Sequence, residues 1–350
     1  MADILEQYPI VIGVDSFGDV TTDRKGELLS QPRSIHALVR EGVAAEESGL
    51  DFFGLGEHHV EEMPLSAPDI VLAAVAGQTS RIRLGSAVTV LSSDDPVRVF
   101  QRYATLDAVS QGRAEVILGR GSSKESFPLF GFDLEDYDRL FEEKLELFSR
   151  LRSEKPVTWS GTTRPALDGL EVFPRTTAGA LPTWIGVGGN PASVVRAAQY
   201  GFPLMLAVIG GNPARFAKLS ELYRQATAEA GFGELPIGLH STGHVAATDE
   251  QAIEEYWPTY ETFQLEARYE RGFPPITREF YEKEIAVGSL YVGSPETVAR
   301  RIVRSMKALG VNRFDLKYGL GPMPNDVLLE NIRLFGTEVA PRVREALGRS

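Results

Sequence analysis

Ala114-Glu-Val-Ile-Leu-Gly-Arg-Gly-Ser122 is a short apolar run that stops in Gly119-Arg120-Gly121-Ser122. Glycines that allow close backbone approach, with an arginine fork between them, suit an anion such as a phosphate. Further on, Trp184-Ile-Gly-Val-Gly-Gly-Asn190 repeats the form and runs into Pro191-Ala-Ser-Val-Val-Arg-Ala-Ala-Gln199. Pro191 suits a first helical turn, so free N–H groups are expected above Gly188 and Gly189. Each stretch is a buried strand followed by a turn and a helix, and the same alternation recurs along the chain. Strands are predicted at Ile10–Val14, Phe52–Leu55, Ile82–Val90, Ala114–Leu118, Thr183–Val187, Leu204–Val208, Ile237–His240 and Arg313–Lys317. Helical patterns follow at Ser34–Glu47, Ala67–Thr79, Val97–Val109, Leu134–Leu151, Ala192–Gln199, Ala214–Ala230, Pro295–Leu309 and Asp326–Leu347. Strands joined by crossover helices are parallel. Eight such units in 350 residues predict an α/β chain folded as a closed (β/α)8 TIM barrel, with an open doubly wound sheet as the alternative.

The punctuation agrees. Asp94-Asp-Pro-Val and Ser294-Pro-Glu-Thr-Val read as helix N-termini, and Gly49, Gly112, Gly201, Gly231 and Gly310 stand where helices stop. No linker or short repeat divides residues 1–350, which read as one barrel domain. Two segments interrupt the alternation. Residues 155–181 predict a hairpin insertion after the fourth strand. Residues 248–290, with Trp257, Tyr260, Phe263, Tyr269, Phe273 and Pro274-Pro275, form an insertion after the seventh strand, read either as a lid or as a solvated excursion.

Composition narrows the class. The chain is 43% apolar without any apolar run of the ~18 residues a membrane span needs. Met1-Ala-Asp-Ile-Leu-Glu lacks the basic and apolar regions of a secretory signal, so a cytoplasmic protein without a membrane partner is expected. Having no cysteine, it has no disulfide, thiolate nucleophile or cysteine metal site. With 36 basic and 48 acidic side chains the net charge is −12, which disfavours nucleic acid.

In a barrel, function lies beyond the C-terminal ends of the strands. Those positions read Asp15-Ser16-Phe17, Glu57-His58-His59, Val88-Thr89-Val90, Arg120-Gly121-Ser122, Gly188-Gly189-Asn190, Val208-Ile209-Gly210, His240-Ser241-Thr242 and Lys317-Tyr318. The mixture fits a large, partly apolar ligand with a phosphate tail. Arg120 reads as an anion grip, or else as a salt bridge to Glu125 or Asp138. Counting by two from Phe52 places Gly54, Gly56 and His58 on one side, so His58 is either a cavity imidazole or a surface-loop residue. No His-x-His or His-Glu-x-x-His spacing supports a metal, and His240 and His244 read as polar packing. Walker, dinucleotide and Gly-x-Ser-x-Gly patterns are absent from the sequence.

From Gly13 to about Arg344 the chain resembles the bacterial luciferase-like flavin monooxygenase family. The resemblance rests on Gly49-Leu-Asp-Phe-Phe-Gly-Leu-Gly-Glu-His-His59, Arg81-Ile-Arg-Leu-Gly-Ser-Ala-Val-Thr-Val90, Pro96-Val-Arg98 and Leu106-Asp-Ala-Val-Ser-Gln-Gly-Arg113. It continues through Gly119-Arg-Gly-Ser122, Phe130-Gly131, Ala197-Ala-Gln-Tyr-Gly201 and Tyr291-Val-Gly-Ser-Pro-Glu-Thr-Val298. Within the family it is similar to a branch of flavin-dependent oxidoreductases without an agreed substrate. The resemblance implies reduced FMN at the C-terminal face, Arg120 on its phosphate, and further donors from Gly188, Gly189, Asn190 and Ser193. It implies a non-prolyl cis peptide at Ala87–Val88 beneath the flavin ring, and His58 as the active-site histidine. It also implies a small organic substrate, a homodimer, and reduction by a flavin reductase or a directly bound nicotinamide. Gly119 stands where luciferases carry a cysteine, so light emission is not expected, and Gly189 stands where they carry an acidic residue. An F420-dependent dehydrogenase and a non-catalytic flavin-binding protein are the alternatives.

Overall fold

A computed structural model describes residues 2–121, 124–271 and 276–348. Its strands are β1 (Val11–Ser16), β2 (Phe52–Leu55), β3 (Arg83–Ser86), β4 (Thr89–Val90), β5 (Ala114–Gly119), β6 (Val157–Trp159) and β7 (Leu167–Leu170). They continue as β8 (Thr183–Val187), β9 (Leu204–Ala207), β10 (Ile237–Val245), β11 (Tyr291–Gly293) and β12 (Arg313–Lys317). Parallel pairing runs β1-β2-β3-β5-β8-β9-β10-β12, and β12 returns to β1 with Gly13 opposite Asp315. Closure therefore decides for the barrel over the open sheet.

The helices are α1 (Ala2–Gln7), α2 (Gln31–Glu47), α3 (Pro68–Ala76), α4 (Pro96–Val109), α5 (Ser126–Phe130), α6 (Tyr137–Leu151) and α7 (Pro191–Gln199). After them come α8 (Ala217–Glu229), α9 (Asp249–Arg271), α10 (Arg278–Val287), α11 (Pro295–Leu309), α12 (Asn325–Leu334) and α13 (Ala340–Ala346). Their starts obey the punctuation. Asp95 accepts from the Val97 and Arg98 N–H groups ahead of α4, and Ser294 accepts from Thr297 ahead of α11. Gly310 ends α11 at φ 63°, a left-handed turn that any side chain would strain.

Because successive strand side chains alternate, one face of the barrel packs on helices and the other fills the lumen. Phe53, Leu84, Val116, Ile185, Leu206 and Phe314 join the outer core with helix residues such as Leu38, Phe100, Phe148 and Ile302. Phe52, Ile117, Trp184 and Met205 form the inner cluster. Among them lies Arg313, 1% exposed, held between the Phe52 and Trp184 rings at 4.1 and 4.7 Å. It pairs with Glu115 at 2.5 Å and Asp315 at 2.8 Å. The lumen is thus plugged at Arg313, towards the N-terminal end of β12, and any cavity must open on one side of the plug.

Three boundaries differ from expectation. The third strand is not continuous over Ile82–Val90: the cis Ala87–Val88 peptide separates β3 from β4. The seventh runs on to Val245, because its extension pairs with β11. The last helical stretch passes through a π-helical turn at Phe335–Val339, since Pro341 has no N–H to continue the ladder.

The insertion after the fourth barrel strand is the antiparallel hairpin β6–β7. That after the seventh is α9, α10 and β11. Tyr256, Tyr260 and Tyr281 are buried against one another, and Arg278 of α10 pairs with Glu254 of α9. The aromatic signal there is thus in part packing; Tyr269, Phe273, Pro274 and Pro275 lie outside what is described of side chains. No helix among the described residues is long and apolar enough to cross a membrane.

Candidate active site

Above the plug, a cavity of about 360 Å³ opens at the C-terminal ends of the strands, lined by residues from each barrel strand or from just beyond its end. Three regions differ in chemistry.

The first lies at the ends of β5 and β8. Arg120 ion-pairs with Asp138, which is 73% exposed, and its Nη2 stands 3.4 Å from the Ser193 hydroxyl. Its guanidinium covers the Tyr137 ring at 5.0 Å, while the Tyr137 hydroxyl donates to the Gly121 carbonyl at 2.8 Å. The salt bridge expected as the second reading of Arg120 is made, with Asp138, and the residue also lines the cavity. Gly119, Gly121, Gly188, Asn190 and Ser193 share the lining, whereas Gly189 (φ 116°) turns behind it. Ser122 lies outside the described residues. The expected free N–H groups at the start of α7 are not there. Asn190 Oδ1 takes the Ala192 N–H, and the Asn190 carbonyl takes those of Ser193 and Val194. What this turn offers an anion, beside Arg120, is the Ser193 hydroxyl, the Asn190 amide NH₂ and the Gly188 and Asn190 N–H groups, which bond to no described residue.

The second region is a wall. Val88, following the cis peptide, fills the space left at Gly119, where a Cβ would meet Val88 Cγ2 at 2.6 Å. Glycine at 119 is thus required first by packing. Ala87, Val90, Ile117 and Met205 extend this apolar surface.

The third region carries imidazoles. His58 Nδ1 lies 3.3 Å from Glu125 Oε1, and its ring packs 5.2 Å from Phe17, with Nε2 bonded to no described protein group. Burial acts to raise the Glu125 carboxyl, but the bond from His58, a backbone N–H and the two neighbouring imidazoles together outweigh it and hold the group below the ordinary range. His59 also lines the cavity, yet it is committed to Glu57 at 2.9 Å, whose other oxygen accepts from the Val90 N–H. Across the barrel, His240 Nε2 lies 3.1 Å from Asp15 Oδ1. Burial disfavours its cation, but the adjacent Asp15 carboxylate prevails and raises its pKa. Asp315 reaches the cavity floor from β12, and burial pushes its carboxyl up to about 6 despite Arg313.

His244 is paired with Glu255. Among the described residues no three histidine or carboxylate side chains converge as a metal needs. Lys317 and Tyr318 turn away from the cavity into buried contacts with Asp19 and Glu41. Val208 is buried behind the mouth, where Phe17, Val90 and Ile209 line it. Sequence reasoning missed Asp315, Tyr137 and the role of Glu125. Arg313-Phe-Asp315, two charges on the lumen face of a buried strand, was a readable signal for the first.

The profile of the luciferase-like monooxygenase family matches residues 16–313. The chain is 27% identical to 4-hydroxyprotoasukamycin monooxygenase of Streptomyces nodosus subsp. asukaensis, over 86% of this chain and 85% of that one. It is also 27% identical to the alkanal monooxygenase alpha chain of the Kryptophanaron alfredi symbiont, over 67% of this chain and 66% of that relative. Among solved structures, monooxygenase RslO1 from Streptomyces bottropensis superposes with a TM-score of 0.81 at 24% identity, covering 95% and 99% of the two chains. The oxygenating constituent of 3,6-diketocamphane monooxygenase from Pseudomonas putida, in complex with FMN, gives 0.76 at 18%, covering 95% and 98%. The F420-dependent tetrahydromethanopterin reductase from Methanopyrus kandleri gives 0.73 at 20%, covering 96% and 100%. The structural likenesses show the fold, and the profile match over most of the barrel shows the family: the chain belongs to the luciferase-like monooxygenases.

Proposed function

We propose that this protein is a flavin-dependent monooxygenase that uses reduced FMN and molecular oxygen to oxidise a small organic substrate. The observation that carries the reading is one cavity with a cationic end, an apolar wall and an imidazole whose outer nitrogen is unbonded. The residues present fit the cofactor. Arg120, Ser193 and Asn190 supply donors for a phosphate, and the space above Gly188 is empty of protein within 4 Å of a Cβ position. One fold relative holds FMN and the two relatives by sequence are monooxygenases, which supports oxygen chemistry on a flavin; F420-dependent relatives share the same fold.

Bound reduced FMN supplies the electrons that activate oxygen. The chain's own part is positional. Arg120 would hold the phosphate in place of its exposed partner Asp138. Val88, wedged against Gly119 and Gly186, would back a bound ring with a surface that has little room to yield. Phe17, Ile117 and Met205 exclude water from the reacting end. His58 holds or moves a proton at Nε2 while Glu125 fixes Nδ1. Glu284 of α10 accepts from the Gly211 N–H at 2.9 Å, bracing the loop that carries Ile209. The reading extends to a cytoplasmic homodimer, with flavin reduced by a separate reductase or by nicotinamide directly.

Titration of oxidised and reduced FMN and of F420, followed by substrate-dependent oxygen uptake, tests the reading. FMN binding with uptake that falls in His58→Ala is the expected result. Preferential F420 binding without uptake means hydride transfer, FMN binding without turnover means a flavin-binding protein, and binding of neither overturns the cofactor altogether.

A further inference from the structure

Arg120 is the only arginine or lysine among the described residues that line the cavity. Its two terminal nitrogens reach different elements. Nη1 pairs with Asp138, the second residue of α6, and Nη2 lies 3.4 Å from the Ser193 hydroxyl in the first turn of α7. Neither contact fixes the side chain. Asp138 is 73% exposed, so water competes for its carboxylate, and 3.4 Å is long for a bond of this kind. What lies against the plane of the guanidinium is Tyr137, the first residue of α6, with its ring centroid 5.0 Å from Arg120 Cζ. That ring is itself held. It stacks at 5.6 Å and 26° on Phe127 of α5, which is fully buried, and its hydroxyl donates to the Gly121 carbonyl at 2.8 Å. Tyr137 thus ties together the start of α6, α5 and the turn after β5.

An arginine side chain has much rotamer freedom to lose when it is pinned to a ligand. Where a ring already holds the guanidinium plane, that loss is taken on folding and not on binding. The two neighbours at the start of α6 therefore act with opposite sign. Asp138 occupies the donor edge and has to be given up for an anion. Tyr137 touches a face of the guanidinium and leaves the edge free. Its hydroxyl adds a second effect, because the Gly121 carbonyl, an acceptor on a residue of the cavity lining, is engaged and turned from opposing an anion.

We propose that Tyr137 is the positioning residue of this anion grip: its ring holds the plane of the Arg120 guanidinium with and without a ligand, so that Nη1 and Nη2 meet a phosphate already aligned. This deepens the FMN reading, on which it rests for the identity of the anion.

The test pairs ligand binding with the state of Arg120 itself. FMN and riboflavin are titrated by flavin fluorescence against the wild type, Tyr137→Leu and Tyr137→Phe. The Arg120 Hδ and Hε resonances are followed in the same proteins with and without inorganic phosphate. Tyr137→Leu should weaken FMN roughly three- to tenfold, as for a lost cation–ring contact, while riboflavin keeps its affinity. Tyr137→Phe, which keeps the ring, should bind FMN within about twofold of the wild type. In the wild type the Arg120 resonances should lie upfield through the ring current and stay there as phosphate saturates the site; in Tyr137→Leu they should return to ordinary positions. The wild-type resonances decide the matter even where Tyr137→Leu does not fold. Equal FMN loss in both variants would place the effect in the hydroxyl, and equal loss of FMN and riboflavin would make the ring a support of the fold. Either result, or Arg120 resonances that leave the ring when phosphate is added, overturns the proposal alone. Absence of binding by FMN and phosphate alike overturns the cofactor reading and the proposal together.

Discussion

Arg120→Ala should weaken FMN by an amount set by what the arginine gives up as well as by what it gains. A guanidinium–phosphate bond contributes about 1.5–3 kcal/mol. Asp138, its partner in the free protein, is mostly exposed, and such a pair is worth only about 0.2–1 kcal/mol. The net loss is therefore centred near ~1.5 kcal/mol, roughly tenfold in Kd. Flavin-fluorescence titration reads it directly. Riboflavin, which lacks the phosphate, should bind the wild type and the variant alike, because the ring wall at Val88 is untouched. Asp138→Asn should tighten FMN slightly and leave riboflavin unchanged, since it removes a competitor and a nearby like charge. Equal loss of FMN and riboflavin in Arg120→Ala would mean that the residue supports the fold rather than the phosphate. An unchanged FMN affinity would refute the two-sided cradle.

Burial pushes the Glu41 carboxyl up to about 7, although Tyr318 and Asn325 donate to it. The folded state then holds a proton that the unfolded chain releases, so stability should fall by roughly 3 kcal/mol as pH rises from ~4.3 through 7. Glu41→Gln should flatten that slope in thermal melts; an identical slope refutes the assignment. Arg313→Met leaves Glu115 and Asp315 without their shared cation in the lumen, and urea unfolding should register about 3–5 kcal/mol of destabilisation. A cost under ~1 kcal/mol would mean the two carboxyls accommodate the loss by protonation. Gly119→Ala drives a Cβ to 2.6 Å from Val88 Cγ2 and should cost about 1–3 kcal/mol by overpacking, with weaker riboflavin binding as the wall shifts. A neutral result there would show that Val88 yields.

The barrel was legible because its signals are local. Thr183–Val187 and Arg313–Lys317 begin and end where their apolar patterns do, and Ser294-Pro295 and Gly310 bound α11 by cap and turn chemistry. The break at Ala87–Val88 came only from family resemblance, since neither residue type marks a cis bond. Within the site, Arg120 and His58 were legible as unusual side chains at strand ends. Of the N–H groups expected free above Gly188 and Gly189, those of α7 are taken, because Asn190 satisfies Ala192 with its side chain and the next two N–H groups with its carbonyl. The sequence by itself determined the count and order of strands, the positions that reach the open end, and the absence of thiol chemistry. These follow from periodicity, from caps and from residue type, each read within one turn or one strand. Tertiary structure decided that the sheet closes and that Arg120 takes Asp138 rather than Glu125. It decided that Glu125 serves His58, and that Asp15, His240 and Asp315 converge from the first, seventh and eighth barrel strands. Those pairings join residues up to 225 positions apart. Their partners are chosen by strand order and register around the barrel, which no local stretch of sequence encodes.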